Sequence, residues 1–233
     1  MNLTDKTTYD MSSHGCTAKV HSILINIENI HTRATEMISV IQDVCWLNDL
    51  SPVAKHSYEA RAERTIAKMV NNILNMVEDE LTEDFGEFMV SASAQDALVE
   101  AFGHIKVPLA ELLKEKISGN PGFDFHTETN TELVAFGEAK FSGGSNPYRN
   151  ALEQIAKFIS LKKGDAELVD LQNFVSEGAI NNALSKRSAF VAAFSINGKK
   201  PQAIMSNAFK SQYLTNLLQQ DEIYLIGVTV RDK

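Results

Sequence analysis

An aspartate, a glutamate and a lysine stand where a strand would ordinarily carry apolar residues in GFDFHTETNTELVAFGEAKF, residues 122–141. Strand side chains alternate between faces, so Glu138 and Lys140 share one face, separated by roughly 7 Å along the strand. The same rule sends Phe123 and Phe125 one way from FDFH, and Asp124 and His126 the other. A hairpin turning over Thr129 to Glu132 has its midpoint at residue 131 and sets Asp124 near Glu138. Two adjacent carboxylates repel and each resists losing its water, so the patch is unfavourable unless a cation binds. Mg²⁺, with Mn²⁺ as a substitute, takes hard oxygen ligands and keeps some water; two carboxylates and a strand carbonyl suit it. A neighbouring lysine can orient an attacking water or stabilise the added negative charge of a phosphorane-like transition state. Metal-assisted hydrolysis of a phosphodiester is the chemistry these groups fit.

The surrounding elements must hold that hairpin. Residues 1 to about 20 read as a polar, weakly ordered lead-in, and residues 23–30 as a strand. Met37, Ile38, Ile41, Val44 and Cys45 recur at helical spacing within residues 33–47. Ser51-Pro52 is a cap followed by a first-turn proline, starting a helix that could run through RTIAKMVNNILNMVEDEL. EDELTEDFGE places six acids in ten residues at 78–87. Such a run is a solvated helix end or a docking surface for a basic partner. EFMVSAS then reads as a short strand, AQDALVEAFGHI and PLAELLKEKI as helices, and residues 118–122 as a breaker. A helix over 147 to about 161, the strand AFVAAFSI at 189–196, a helix over roughly 201–219 and the strand EIYLIGVTV follow the hairpin. This alternation predicts an α/β fold, a mixed central sheet flanked by helices. A mainly helical, acidic part over 1–90, suited to partner docking, would precede a second unit over 91–233.

The totals set further bounds. At 44% hydrophobic and 22% charged residues, the 233-residue chain has the composition of a folded protein. Its apolar runs fall far short of the roughly 20 residues that span a bilayer, and MNLTDKTTYDMSSHG lacks the basic start and apolar core of a secretory signal. Cys16 and Cys45 form no CxxC pair, which argues against a disulfide framework or a thiolate zinc site and favours the cytoplasm. The net charge of −8 disfavours unaided grip on nucleic acid. The acidity is uneven: residues 1–100 carry 7 Lys/Arg against 16 Asp/Glu, and residues 101–233 carry 15 against 14.

GFDF, then thirteen residues between Asp124 and Glu138, then GEAK, resembles the PD-(D/E)xK signature of restriction-endonuclease-like nucleases, with Pro121 displaced from its usual place. Glu138-Ala-Lys140 is the only E-x-K in the chain. The resemblance extends over about residues 95–233 in the order helix, hairpin, helix, strand. It implies a restriction-endonuclease-like core in which Asp124 and Glu138 bind metal with the Ala139 carbonyl and Lys140 is catalytic. An acidic residue on the preceding helix is frequent in this group; Glu111 or Glu100 could fill that place, or be solvated. NPGFDFHTET, AFGEAKFS and NPYRNALEQI, with the overall length, resemble more narrowly the nuclease subunits of Hachiman antiphage defence systems. That likeness implies a magnesium-dependent DNA nuclease effector held by a superfamily 2 helicase subunit (HamB-like). A junction-resolving or repair nuclease of the same fold, and an adaptor that binds DNA or a partner without cutting, are the alternatives.

Several neighbours carry two readings. Asn146 as cap and Pro147 as first helical residue would leave N–H groups that, with Arg149, could receive a DNA phosphate. Gln154 resembles a glutamine that some members place beside the site, or is a surface residue. Lys157 lies off the buried stripe formed by Leu152, Ile155, Phe158 and Ile159. Lys162-Lys163, Lys186-Arg187 and Lys199-Lys200 are solvated pairs or contacts to the DNA backbone. His126 supports a ligand or makes a hydrogen bond within the strand. Gly143-Gly144 lacks the GK[ST] ending of a phosphate loop.

Overall fold

The computed structural model describes residues 1–11, 16–77, 83–113 and 122–230. Strands β1 (Asn2–Asp10), β2 (Lys19–Ile27), β3 (Ile105–Lys106), β4 (Phe125–Glu128), β5 (Val134–Lys140), β6 (Ala189–Ile196) and β7 (Glu222–Val230) form one mixed sheet in the order β1-β2-β7-β6-β5-β4-β3. β2, β7, β6 and β5 run parallel, while β1, β4 and β3 are antiparallel to their neighbours. AFVAAFSI is buried throughout, and EIYLIGVTV is buried at all but its last two residues. Strands covered on both faces need such continuous apolar runs.

One face of the sheet carries α1 (Ile30–Gln42), much of α2 (Pro52–Val77) and α3 (Glu83–Phe102), packed with Ile25, Phe125, Ala135, Val191 and Ile226. The other carries α5 (Tyr148–Ser160), α6 (Lys163–Leu171), α7 (Glu177–Leu184), α8 (Pro201–Phe209) and α9 (Gln212–Thr215), around Phe123, Phe136, Phe158, Phe190 and Phe194. A short α4 (Ala110–Leu113) packs against α2. Buried Arg33 joins α1 to α3, donating to Ser93 Oγ at 3.0 Å and pairing with Asp96 at 2.6 Å.

Three local expectations are corrected. The supposed lead-in contains β1, an edge strand whose register is set by β2; its polar sequence suits an edge with one side open to water. EFMVSAS is helical, lying within α3. Residues 89–95 are all buried there because α3 is covered by α1 and α2 as well as by the sheet, so no apolar stripe distinguishes it. The final long helix is two, α8 and α9, with Ser211 capping the second through Tyr213 N–H at 3.3 Å. The breaker at 118–121, the acidic residues 78–82 and the end of PLAELLKEKI lie outside the described residues. Residue 90 falls inside α3, and strands from both sides of it share the sheet.

Two glycines set the approach of α3 to the hairpin. A Cβ at Gly137 would come within 2.4 Å of the fully buried Phe125 ring, and one at Gly86 within 2.1 Å of the Phe141 ring. Gly137→Ala should therefore lose about 1–3 kcal/mol, read as a lower urea midpoint, since the Phe125 ring beneath α3 has nowhere to move.

Candidate active site

The hairpin has the register expected for it: Phe125 pairs with Gly137 and His126 with Phe136, so Asp124 lies opposite Glu138 one step further on. Side-chain alternation does not extend to Asp124. The chain bends there, ahead of β4, so that Phe123 joins the α5 side of the sheet while Phe125 joins the α3 side. The bend brings Asp124 Oδ2 within 2.8 Å of the Ala139 N–H, which donates to it. Asp124 N–H in turn donates to Gly137 O at 2.9 Å.

Glu138 is completely buried, and Lys140 Nζ lies 2.9 Å from its Oε1. Apart from this ion pair, neither oxygen of Glu138 has a hydrogen-bond partner among the described residues. Burial, reinforced by the charge of Asp124, pushes the Glu138 carboxyl well above the ordinary range against the opposing pull of Lys140. Burial alone would lower the Lys140 ammonium, but Glu138, Asp124 and Glu87 together hold it above its usual value. Lys140 also donates to Glu87 Oε1 at 3.2 Å. Glu87, at the end of the acidic run, is thus the acid that α3 brings to Lys140. Its position within a segment that reads as a strand hid that signal.

Asp124, Glu138 and Lys140 stand at the C-terminal end of β5, the side on which open α/β sheets form their clefts. The following loop is pinned to the end of β6. Ser142 N–H donates to Ser195 Oγ at 3.0 Å, and Asn197 Nδ2 donates to Ser145 O at 2.8 Å and also to Ser142 O. Asn146 accepts from Asn197 N–H at 3.1 Å rather than capping α5, whose cap position is Pro147. Arg149 is exposed at the start of α5, 6.0 Å from the Tyr148 ring centroid. Gln154 is half-buried and Lys157 exposed on the same helix, which packs on β5 and β6.

The remaining residues singled out from the sequence are dispersed. Glu111 lies half-buried on α4, against α2, and Glu100 is exposed near the end of α3. Lys186 pairs with Asp165 at 2.6 Å and Arg187 with Asp221 at 3.1 Å. Both precede β6, at the opposite end from the residue that pairs with Lys140, roughly 20 Å along the sheet. His126 is fully buried, 2.7 Å from Glu167 Oε2, and faces α6.

No protein-family profile matches this chain, and no curated protein matches it. Among the described residues no helix is long and apolar enough to cross a membrane, and no three His, Cys, Asp or Glu side chains cluster as a metal cage. The donor set here is different in kind, two neighbouring carboxylates, Asp124 and Glu138. A hard cation fits it, because the two buried oxygens of Glu138 have, among the described residues, no hydrogen-bond partner beyond the Lys140 ion pair, and Asp124 stands beside them. Mg²⁺ or Mn²⁺ should raise the urea midpoint of the wild type but not that of Glu138→Gln.

Proposed function

We propose that this protein is a divalent-cation-dependent DNA nuclease with a restriction-endonuclease-like core. In this reading it is the cytoplasmic effector of a bacterial antiphage defence complex and is controlled by a superfamily 2 helicase subunit. The observation that carries the reading is the convergence of Asp124, Glu138 and Lys140 at one strand end, around the buried oxygens of Glu138 that lack hydrogen-bond partners among the described residues. Asp124 and Glu138, with the Ala139 carbonyl, would hold Mg²⁺ or Mn²⁺. The chemistry such a cation would supply is polarisation of the scissile phosphate and activation of a water as nucleophile.

The chain's own groups do the rest. Lys140 is positively charged and held by Glu138 and Glu87, so it can place a water in line with the phosphorus or neutralise the charge that builds on the phosphoryl oxygens. The apolar wall around Glu138 strengthens these interactions by excluding bulk water. Arg149 at the rim offers a phosphate contact, whereas Lys186 and Arg187, paired with acids at the far end of β6, are better suited to a long duplex or to structure alone. The acidity of the first hundred residues favours delivery to DNA by a partner.

The test is incubation of the protein, alone and with the helicase subunit, with plasmid and linear DNA in Mg²⁺, Mn²⁺ or EDTA. Cation-dependent cutting is expected. Its absence under every condition, activating DNA ends included, would leave a binding adaptor as the better account.

A further inference from the structure

Asp124 lies at a bend just ahead of β4 and keeps one cross-strand bond, its N–H to Gly137 O, so something besides that single bond must fix the course of the chain around it. One side chain closes on the chain from both sides of it. Glu167, on α6, accepts the Phe123 N–H at Oε1, 3.0 Å away, and its Oε2 lies 2.7 Å from His126 Nε2. All three residues are buried, with His126 fully so. Burying a carboxylate on a helix face that could carry an apolar residue is costly, and here both oxygens are used across a four-residue span.

His126 shows the same priority. With Nε2 engaged by Glu167, its Nδ1 is left buried without a hydrogen-bond partner among the described residues. The fold tolerates that loss while keeping the bridge. We infer that Glu167 is a positioning residue for the candidate catalytic site: its bridge from Phe123 N–H to His126 fixes the bend that turns Asp124 onto the Ala139 N–H and beside Glu138. The inference rests on the nuclease reading for its consequence in catalysis, but its geometry is measurable without DNA.

Three substitutions separate span from charge. Glu167→Gln keeps the span: its oxygen accepts from Phe123 and its amide donates to His126 in the other tautomer. Glu167→Asp keeps the charge but is one methylene too short to reach both partners. Glu167→Ala removes everything.

The readouts are the ¹H–¹⁵N resonance of the Ala139 amide in cation-free protein, Mn²⁺ affinity by calorimetry, and the Mg²⁺ concentration that half-saturates DNA cleavage. The expected order is Gln like the wild type, with Asp and Ala both moving the Ala139 amide and weakening cation binding roughly tenfold or more, as loss of an outer-shell partner does. Asp behaving as wild type while Gln behaves as Ala would overturn the bridge in favour of charge. Unchanged resonances and affinities in folded Ala and Asp variants would overturn it altogether.

Should those two variants fail to fold, amide exchange in the wild type decides. Phe123 and Ala139 N–H exchanging as slowly as the centre of β5 supports the clamp, and fast exchange at either removes it. A wild type that neither binds Mn²⁺ nor cuts DNA would end the nuclease reading, while the Ala139 amide would still judge the positioning.

Discussion

Replacing Glu138 and Lys140 together by alanine should abolish cation-dependent DNA cleavage, a loss on the order of 10³-fold or more, while the protein stays folded. The two side chains form one electrostatic unit. Lys140 is held by Glu138 and Glu87, and removing Glu138 alone would leave its ammonium to Glu87 and Asp124 in the wrong place. Removing both takes out opposite charges together, and Glu87 is partly exposed to water. The fold loses little, because the apolar walls of β5 and β6 are untouched. Cleavage and cation affinity should fall together, with partner binding and the thermal midpoint preserved. Cleavage that survives in the double variant, with EDTA still suppressing it, would place the catalytic metal elsewhere in the chain.

Acidification from pH 7 to 4.5 should cost the fold on the order of 2–3 kcal/mol through His104, and His104→Gln should flatten that limb. His104 follows Gly103, whose left-handed φ of 68° ends α3, and it is buried with its ring against those of Phe102 and Tyr224. Its Nδ1 lies 2.9 Å from Thr127 Oγ1 and its Nε2 3.1 Å from the Tyr224 hydroxyl. Tyr224 donates to Glu222 Oε2 at 2.8 Å, so the hydroxyl accepts from His104. Thr131 donates to the other Glu222 oxygen at 3.0 Å.

Burial, with a smaller contribution from neighbouring His21, pushes His104 down to about 4 from its ordinary 6.5. The unfolded chain therefore takes up a proton first as pH falls. Stability is complete above the unfolded value, declines below about 6.5 and is fully lost only below about 4. His21, lowered in the same direction by burial and stacked 4.7 Å from Tyr224, adds to the slope. Urea titrations of wild type and His104→Gln at pH 7 and pH 4.5 measure it; an identical acid limb in both would remove His104 as its source.

What could be read from the sequence was what local pattern controls. The apolar runs of β6 and β7, the Leu152-Ile155-Phe158 stripe of α5 and the register that sets Asp124 against Glu138 all follow from short-range spacing. What could not be read depends on distant neighbours. β1 is polar and is a strand because β2 is there to pair with it. α3 is buried on several sides, so its small residues carry no periodic signal, and the carboxylate of Glu87 went unrecognised with it. Lys186 and Arg187 belong to a turn whose position is set by strand order, a property that local pattern does not encode. Glu167 reads as an ordinary helix acid until α6 is laid against the hairpin.

The place of β7 in the sheet also bears on how the molecule is made. β7 is synthesised after the other six strands, yet it lies between β2 and β6. Until it leaves the ribosome, β1–β2 and β3–β6 are separate ribbons, each with an open hydrogen-bonding edge. Their union closes contacts across some two hundred residues, Ser22 with Leu225 and Ile23 with Ile226, a topology that folds slowly. Nascent chains thus have a window in which the edges of β2 and β6 can capture a wrong strand. A subunit docking on the β1–β2 ribbon during translation would shorten that window, because it would hold one edge in register for the strand still to come.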